Sequence, residues 1–212
     1  MSDPSSSRIL KKVYAATTND ELEAAYDEWA SDYDAHVTSF GWKSPAVVAG
    51  LFGRFVQRYN ARVLDAGAGT GMMGELIMIM GYDDLTGIDL SKGMLNKAQK
   101  TGAYRKLQQM VLGEHLDFTD NYFDACLSVG VFTAGHAPAN GFDELVRIVA
   151  PGGFIIFSLL DTVYLESGFK AKFDALAAEK RWERVEKTPP YSALPYENPN
   201  IRHNAFVFRV LG

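Results

Sequence analysis

The sequence predicts an α/β fold: a largely parallel sheet with helices on both faces. Three observations carry that prediction. Short apolar runs alternate with amphipathic helical stretches through most of the chain. A glycine-rich turn, Gly67-Ala68-Gly69-Thr70-Gly71, follows the first of those runs, where a strand hands over to a helix. The last two strand-like runs are joined by a Pro-, Tyr- and Asn-rich loop with no room for a helix, so that pair is expected to be antiparallel. The 212 residues, 47% hydrophobic, suit one domain with a sizeable core, and no linker divides 1-212.

In chain order, residues 1-7 are polar and serine-rich and are expected to be a disordered tail. Residues 8-43 form an N-terminal helical cap, and 44-212 the sheet-bearing core. Arg8 to Ala16 is a short helix. Thr18-Asn19-Asp20-Glu21 is a capping box for a second, which sets Leu22, Tyr26, Trp29 and Tyr33 on one face. Ser44-Pro45 is a cap followed by an N1 proline, opening a helix with a wide apolar face from Val47 to Val56. Arg62 to Ala66 is the first strand. Met72 to Met80 is helical, with Gly81 as its C-cap. Leu85 to Asp89 is the second strand, and Ser91 caps a helix ending before Gly102. Leu107 to Leu112 and Asp124 to Gly130 are the third and fourth strands. A helix from Asn140 is stopped by Pro151-Gly152-Gly153, and Phe154 to Leu160 is a fifth strand, apolar enough for burial on both faces. Phe169 to Ala177 is a helix; Arg181 to Lys187 and Asn204 to Val210 are the closing strands.

Composition narrows the function. The net charge is -5 and no basic patch is visible, which argues against nucleic acid as a partner. The single cysteine, Cys126, excludes an internal disulfide and fits a reducing compartment; its place in a central strand makes it an inert buried thiol. No signal peptide is visible and the longest apolar runs fall far short of a membrane span, so a cytoplasmic protein with no membrane attachment is expected. No metal site is expected.

The glycine turn asks what it holds. Gly69-Thr70-Gly71-Met72-Met73-Gly74 matches G-x-G-x-x-G, which by itself is a weak dinucleotide signal. Asp65, two positions before Gly67, would face a phosphate with a negative charge but an ammonium or sulfonium with a partner. Asp89 ends the second strand, where a carboxylate can accept from both hydroxyls of a ribose. The pair describes S-adenosylmethionine better than a nicotinamide dinucleotide. The plainer reading is that Asp65 caps the loop and Asp89 the next helix.

Val63-Leu64-Asp65-Ala66-Gly67-Ala68-Gly69-Thr70-Gly71 resembles motif I of the class I methyltransferases. Gly87-Ile88-Asp89-Leu90-Ser91 with Met94-Leu95 is similar to their ribose motif. Phe123-Asp124 and the run Leu145 to Gly153 are similar to later landmarks. A closer likeness, carried by Tyr26 to Asp34, Gly113-Glu114, Gly130 to Pro138 and Gly141-Phe142, is to the group around the Williams–Beuren syndrome region methyltransferase. The resemblance implies a Rossmann-like seven-stranded sheet of order 3-2-1-4-5-7-6 with strand seven antiparallel. It implies S-adenosyl-L-methionine as cofactor, bound by Tyr26, Tyr33, Asp65, Ala66, Gly67, Gly69, Gly71, Asp89, Leu90, Gly113, Glu114 and Gly130. One departure stands out: Leu112 occupies the position where many relatives carry an Asp for the adenine amino group. Adenine would then rest on backbone near Gly113 and Glu114 or on the Glu114 side chain, between Leu90 and Leu116.

The resemblance places the acceptor beyond the ends of strands four and five, beneath the cap. His136 is the first candidate base and Asp161 is comparable; His36 and His203 are weaker. Phe132, Tyr164, Tyr191 and Tyr196 suggest an apolar or aromatic small acceptor. The expected function is methyl transfer from S-adenosylmethionine to a small molecule. A nicotinamide-dependent oxidoreductase and a non-enzymic cofactor-binding module acting through a protein partner are the alternatives. Oligomeric state is open.

Overall fold

The computed structural model describes residues 4–133 and 136–212. Three helices form the N-terminal cap: α1 (Pro4–Ala15), α2 (Asn19–Trp29) and α3 (Tyr33–Ser39). Helix α1 begins at Pro4, inside the stretch expected as a tail; residues 1–3 lie outside the described residues. Thr18 caps α2, accepting from the Glu21 amide at 3.2 Å. The Glu21 carboxylate reaches one residue further back than a capping box requires, to the amide and hydroxyl of Thr17 at 2.8 and 3.0 Å. Helix α2 ends at Trp29, so Tyr33 opens α3 instead of continuing the stripe. The aromatic face survives the break because Trp29 packs edge-on against Tyr33, ring centres 4.8 Å apart.

Helix α4 (Ser44–Phe55) begins the core. Ser44 is its first residue and not its cap. Its buried hydroxyl accepts from Tyr191 at 3.1 Å and meets His203 Nδ1 at 3.2 Å, a tertiary use that overrides the local capping signal. Strand β1 (Val63–Ala66), α5 (Met72–Ile79), β2 (Leu85–Asp89), α6 (Lys92–Thr101) and β3 (Lys106–Gln109) follow. Ser91 caps α6 by accepting from the Met94 amide at 3.0 Å, and Gly102 closes it in the left-handed region at φ 70°. Strand β3 stops at Gln109, short of the expected Leu112, which frees the following residues to bend. Then come β4 (Phe123–Phe132), α7 (Gly141–Ile148) and β5 (Val149–Leu160). Pro151-Gly152-Gly153 lies inside β5 and does not precede it. Val149 already pairs with Phe123, and a register shift absorbs the next residues before Phe154 pairs with Ala125.

The chain closes with α8 (Asp161–Glu166), α9 (Phe169–Ala178), β6 (Trp182–Lys187), β7 (Tyr191–Leu194) and β8 (Asn198–Val210). The sheet runs β3-β2-β1-β4-β5-β8-β6, with β8 antiparallel to β5 and β6. That is the expected order plus one strand. The addition comes from the supposed loop: β8 starts at Asn198, not Asn204, and folds back on β7 as a hairpin. The hairpin meets the chain entering α4, where the Lys43 amide donates to Ala193 O at 3.0 Å and the Tyr196 amide to Phe40 O at 3.1 Å.

Apolar burial divides by sheet face. Phe132, Phe142, Phe157, Phe173, Trp182 and Phe206 fill the α7–α9 side. Phe52, Ile77, Tyr82, Leu85 and Val207 fill the α4–α5 side. A third cluster, Val13, Leu22, Ala25 and Trp29, belongs to the cap and touches Leu90. Polar contacts also hold the cap. Asp27 Oδ1 accepts from Ser91 Oγ at 2.5 Å and the Gly93 amide at 2.8 Å, and Asp34 Oδ1 accepts from Thr70 Oγ1 at 2.5 Å. The Asp27 carboxylate thus sits on the positive end of α6.

Candidate active site

The glycine turn between β1 and α5 adopts left-handed backbone at Gly67, Gly69 and Gly71, with φ of 86°, 54° and 96°. The three have different neighbours. A Cβ on Gly67 would stand 2.1 Å from Val131 Cγ2, and one on Gly71 2.9 Å from the Ala98 backbone. A Cβ on Gly69 would meet nothing within 4 Å. Gly67 therefore packs the turn onto β4 and Gly71 packs it onto α6, while Gly69 faces open space.

That space is a cavity of about 740 Å³, part of it open to solvent. Its floor is Gly67, Gly69 and Asp89; its roof is Asn19, Leu22, Tyr26 and Tyr33 of the cap. Ile88, Leu90, Met94, Met110, Val111 and Leu112 form an apolar wall on the β2–β3 side. Val129, Gly130, Val131, His136, Ala137 and Pro138 close the β4 side. Of the expected cofactor residues, Tyr26, Tyr33, Gly67, Gly69, Asp89, Leu90 and Gly130 are brought together here.

Asp89 accepts from the Gly69 amide at 2.8 Å through Oδ2 and from the Ser91 amide at 2.9 Å through Oδ1. Burial pushes its carboxyl above the ordinary range, and these amides oppose the shift. Each oxygen keeps a further lone pair, so the carboxylate can still receive a diol.

Several expected residues stand off the wall. Asp65 is 1% exposed and lies behind the turn, because its β1 position faces Tyr104. The Tyr104 hydroxyl donates to Asp65 Oδ2 at 2.6 Å; Oδ1 is buried with no hydrogen-bond partner. Burial lifts this carboxyl to about 7, Tyr104 lowers it and Asp89 raises it. Ala66 is fully buried, with its carbonyl accepting from Ser128 Oγ at 2.7 Å. Gly71 is spent on α6. Gly113, at φ 104°, supports the wall from behind: a Cβ there would lie 2.7 Å from Pro138 Cγ. Glu114 is exposed beside the rim, where Asn19 Nδ2 approaches its Oε1 at 3.5 Å. Leu116 is fully buried in the core and does not reach the cavity, whose wall on this side is Met110 through Leu112. Met94 was visible in the ribose motif; Met110 had no local signal, since its place depends on β3 ending early.

On the acceptor side, His136 Nε2 meets Tyr26 Oη at 2.9 Å and Nδ1 meets Thr133 Oγ1 at 2.7 Å. Tyr14 packs edge-on against its ring at 6.0 Å. Burial pushes the Tyr26 and Tyr33 hydroxyls upward, so both stay protonated at neutral pH. Asp161 does not join His136. Strand β5 runs directly into α8, and Asp161 becomes the first helical residue, off the cavity wall. His36 accepts from Trp29 Nε1 at 2.9 Å, and His203 is held by Ser44, pushed down to about 4 by burial. Phe132 and Tyr164 belong to the core, Tyr191 packs against it and Tyr196 is 81% exposed; none lines the cavity.

The site fits S-adenosylmethionine. Gly69 leaves backbone room, Asp89 offers oxygens for ribose, and the apolar wall suits a purine. The unpartnered Asp65 Oδ1 beneath the turn suits a cationic ligand.

Comparison with known proteins agrees. The methyltransferase-domain family model matches residues 64–157. Human methyltransferase-like protein 27 is 31% identical over 170 residues, covering 77% of this chain and 69% of that protein. A malonyl-(acyl-carrier protein) O-methyltransferase of Geobacter sulfurreducens is 31% identical over 144 residues, 66% of this chain and 52% of its own length. Among solved structures, the (4+2)-cyclase SpnF superposes with TM-score 0.73 at 16% identity, covering 93% of this chain and 98% of that one. An S-adenosylmethionine-dependent methyltransferase of Mesorhizobium loti gives 0.56 at 17% identity, covering 71% and 91%. These last two likenesses show the fold alone. The turn motif and the sequence relatives converge: the chain belongs to the class I S-adenosylmethionine-dependent methyltransferases and is an enzyme of that kind.

Proposed function

We propose that the acceptor is a small, largely apolar molecule without a net negative charge, methylated beneath the cap at the end of β4. One observation carries this reading. Among the described residues lining the cavity there is no Lys or Arg, and Tyr26, Tyr33 and Leu22 roof it. Such a lining offers no Lys or Arg cation to phosphates, which also argues against a nucleic-acid acceptor. Relatives named for ubiquinone and demethylmenaquinone methylation are compatible with small acceptors, while one named for malonyl-(acyl-carrier protein) points to an anionic group on a carrier protein; they differ among themselves, so none is transferred to this chain. A cytoplasmic location belongs to the same proposal and rests on the single cysteine, Cys126, which is buried. Among the described residues, no helix is long and apolar enough to cross a membrane.

The cofactor supplies a methyl group on a positively charged sulfur, already a good leaving group. The protein's task is alignment and dryness. Asp89 holds the ribose end, and Tyr26 and Tyr33 cover the turn. His136 is held between the hydroxyls of Thr133 and Tyr26; in the neutral imidazole one ring nitrogen donates and the other accepts. An acceptor O–H or N–H that takes the Tyr26 place on Nε2 would find a base there. Asp161 keeps no part in this proposal.

Incubation with methyl-labelled S-adenosylmethionine and a panel of neutral aromatic and aliphatic alcohols, phenols and amines tests the reading. Labelled product from that panel supports it; labelling confined to RNA, protein or anionic acceptors sinks it. His136→Ala should lower turnover of the identified acceptor at least ten-fold, about the lower end of general-base contributions, with cofactor affinity nearly intact. Undiminished turnover removes His136 from the base role.

A further inference from the structure

We propose that Tyr104 is a positioning residue of the cofactor site: its hydroxyl staples the two ends of the glycine turn together and holds the Asp65 carboxylate beneath it. The oxygen accepts from the Gly74 amide at 3.0 Å and donates to Asp65 Oδ2 at 2.6 Å. Asp65 lies in β1 and Gly74 in the first turn of α5, so one oxygen bridges the span that contains Gly67, Gly69 and Gly71. An amide in the first helical turn has no carbonyl partner within its helix, and Tyr104 satisfies this one.

The ring is placed as closely as its hydroxyl. A Cβ on Gly74 would stand 2.3 Å from Tyr104 Cζ, and one on Gly87 3.0 Å from its Cε1. The last glycine of G-x-G-x-x-G therefore makes room for Tyr104 and not for a ligand. Neither Tyr104 nor Asp65 lines the cavity, so the effect on ligand passes through the turn. The inference rests on the reading that the Asp65 charge serves the cofactor's ammonium group. The titratable groups facing Asp65 are Tyr104, Asp89 on β2 and Cys126 on β4, none of them a cation. Tyr104 is its hydrogen-bond donor, and a donor to the charged form favours that form.

Calorimetric titration of the full chain with S-adenosylhomocysteine, at pH values on both sides of neutrality, tests this. In the unaltered protein, affinity should rise with pH as Asp65 ionises and then level off. Tyr104→Phe keeps the ring and removes the hydroxyl; affinity should fall about ten-fold or more, as for loss of a hydrogen bond to a charged group. The midpoint of its pH dependence should move to higher pH, which a merely structural role would not do. Asp65→Asn should abolish the pH dependence, and adding Tyr104→Phe to it should cost no further affinity. If Tyr104→Phe does not fold, a fluorotyrosine at 104, a stronger donor of the same shape, should move the midpoint to lower pH. An unmoved midpoint in whichever of these proteins folds overturns the inference, as does an Asp65→Asn protein that binds and titrates like the unaltered one. If the unaltered protein does not bind S-adenosylhomocysteine at any pH, the cofactor assignment itself falls.

Discussion

Gly69 and Gly71 lie in one turn and share left-handed backbone, yet substitution at each should be read by a different instrument. Gly69→Ala places a methyl group in the open space of the cavity, so cofactor affinity should fall, and the left-handed φ of 54° adds backbone strain but no clash. Gly71→Ala drives a methyl group against the Ala98 backbone at 2.9 Å on top of an unfavourable φ of 96°. It should destabilise the fold by about 1–3 kcal/mol, the cost of a strained backbone position. Paired calorimetry and urea denaturation separate the cases; equal affinity losses at equal stability would show that Gly71 also faces the ligand. Asp89→Ala should weaken S-adenosylhomocysteine binding by about 1.5–3 kcal/mol. Unchanged affinity would remove Asp89 from the ribose site. The need for glycine in this turn was legible from the motif. Which glycine faces the ligand was not, because that depends on Val131 and Ala98, remote in sequence.

At the scale of elements, helix α7 holds the loop after β3 through one side chain. Arg147 pairs with Glu144 at 2.8 and 2.6 Å, donates to the carbonyls of Phe118 and Leu116 at 2.7 and 2.8 Å, and reaches Asp120 at 2.8 Å. Glu144 in turn accepts from the Leu116 amide at 2.8 Å. Arg147 pulls the Glu144 carboxyl down from its ordinary 4.5 to about 2. A depressed carboxyl contributes stability that is present above its unfolded value and lost as pH falls through the folded one. Arg147→Met should therefore destabilise the protein by about 1.5–3 kcal/mol at neutral pH and shrink the loss of stability on acidification. Acid titration of thermal stability checks both, and an unchanged acid limb would mean the pair contributes nothing net. The run Leu145 to Gly153 was recognisable as a landmark, but its tie to a loop about thirty residues earlier was not, since neither segment has a periodicity that names the other. The β7–β8 hairpin is not legible in the sequence for a related reason. Its Pro- and Asn-rich turn reads as loop, and only pairing with β8 and contact with the cap make β7 a strand.

For the whole molecule, the raised Asp65 carboxyl predicts a coupling of folding to pH and, where its charge serves the cofactor's ammonium, to cofactor. Its carboxyl is raised from 3.8 to about 7 by burial, so between those values the folded chain keeps a proton that the unfolded chain has released. Stability without cofactor should therefore fall as pH rises through that window and level off above it. S-adenosylhomocysteine, whose ammonium favours the ionised carboxylate, should flatten the slope. Urea denaturation across the window, with and without the ligand, measures it; a slope that persists in Asp65→Asn would assign it elsewhere. The sequence by itself determined the alternation of strands and helices, the caps at Thr18 and Ser91, and the two acidic residues that select a cationic nucleoside over a dinucleotide. These are local signals: periodicity, a side chain bonding a backbone three residues on, a glycine where the chain must turn. Only the tertiary structure decided that Asp65 lies behind the turn, that Asp161 is drawn into α8, and that Met110 and His136 line one cavity. Those outcomes depend on close approaches between segments far apart in the chain, such as Tyr104 on Gly74 and Pro138 on Gly113, which no short window of sequence encodes.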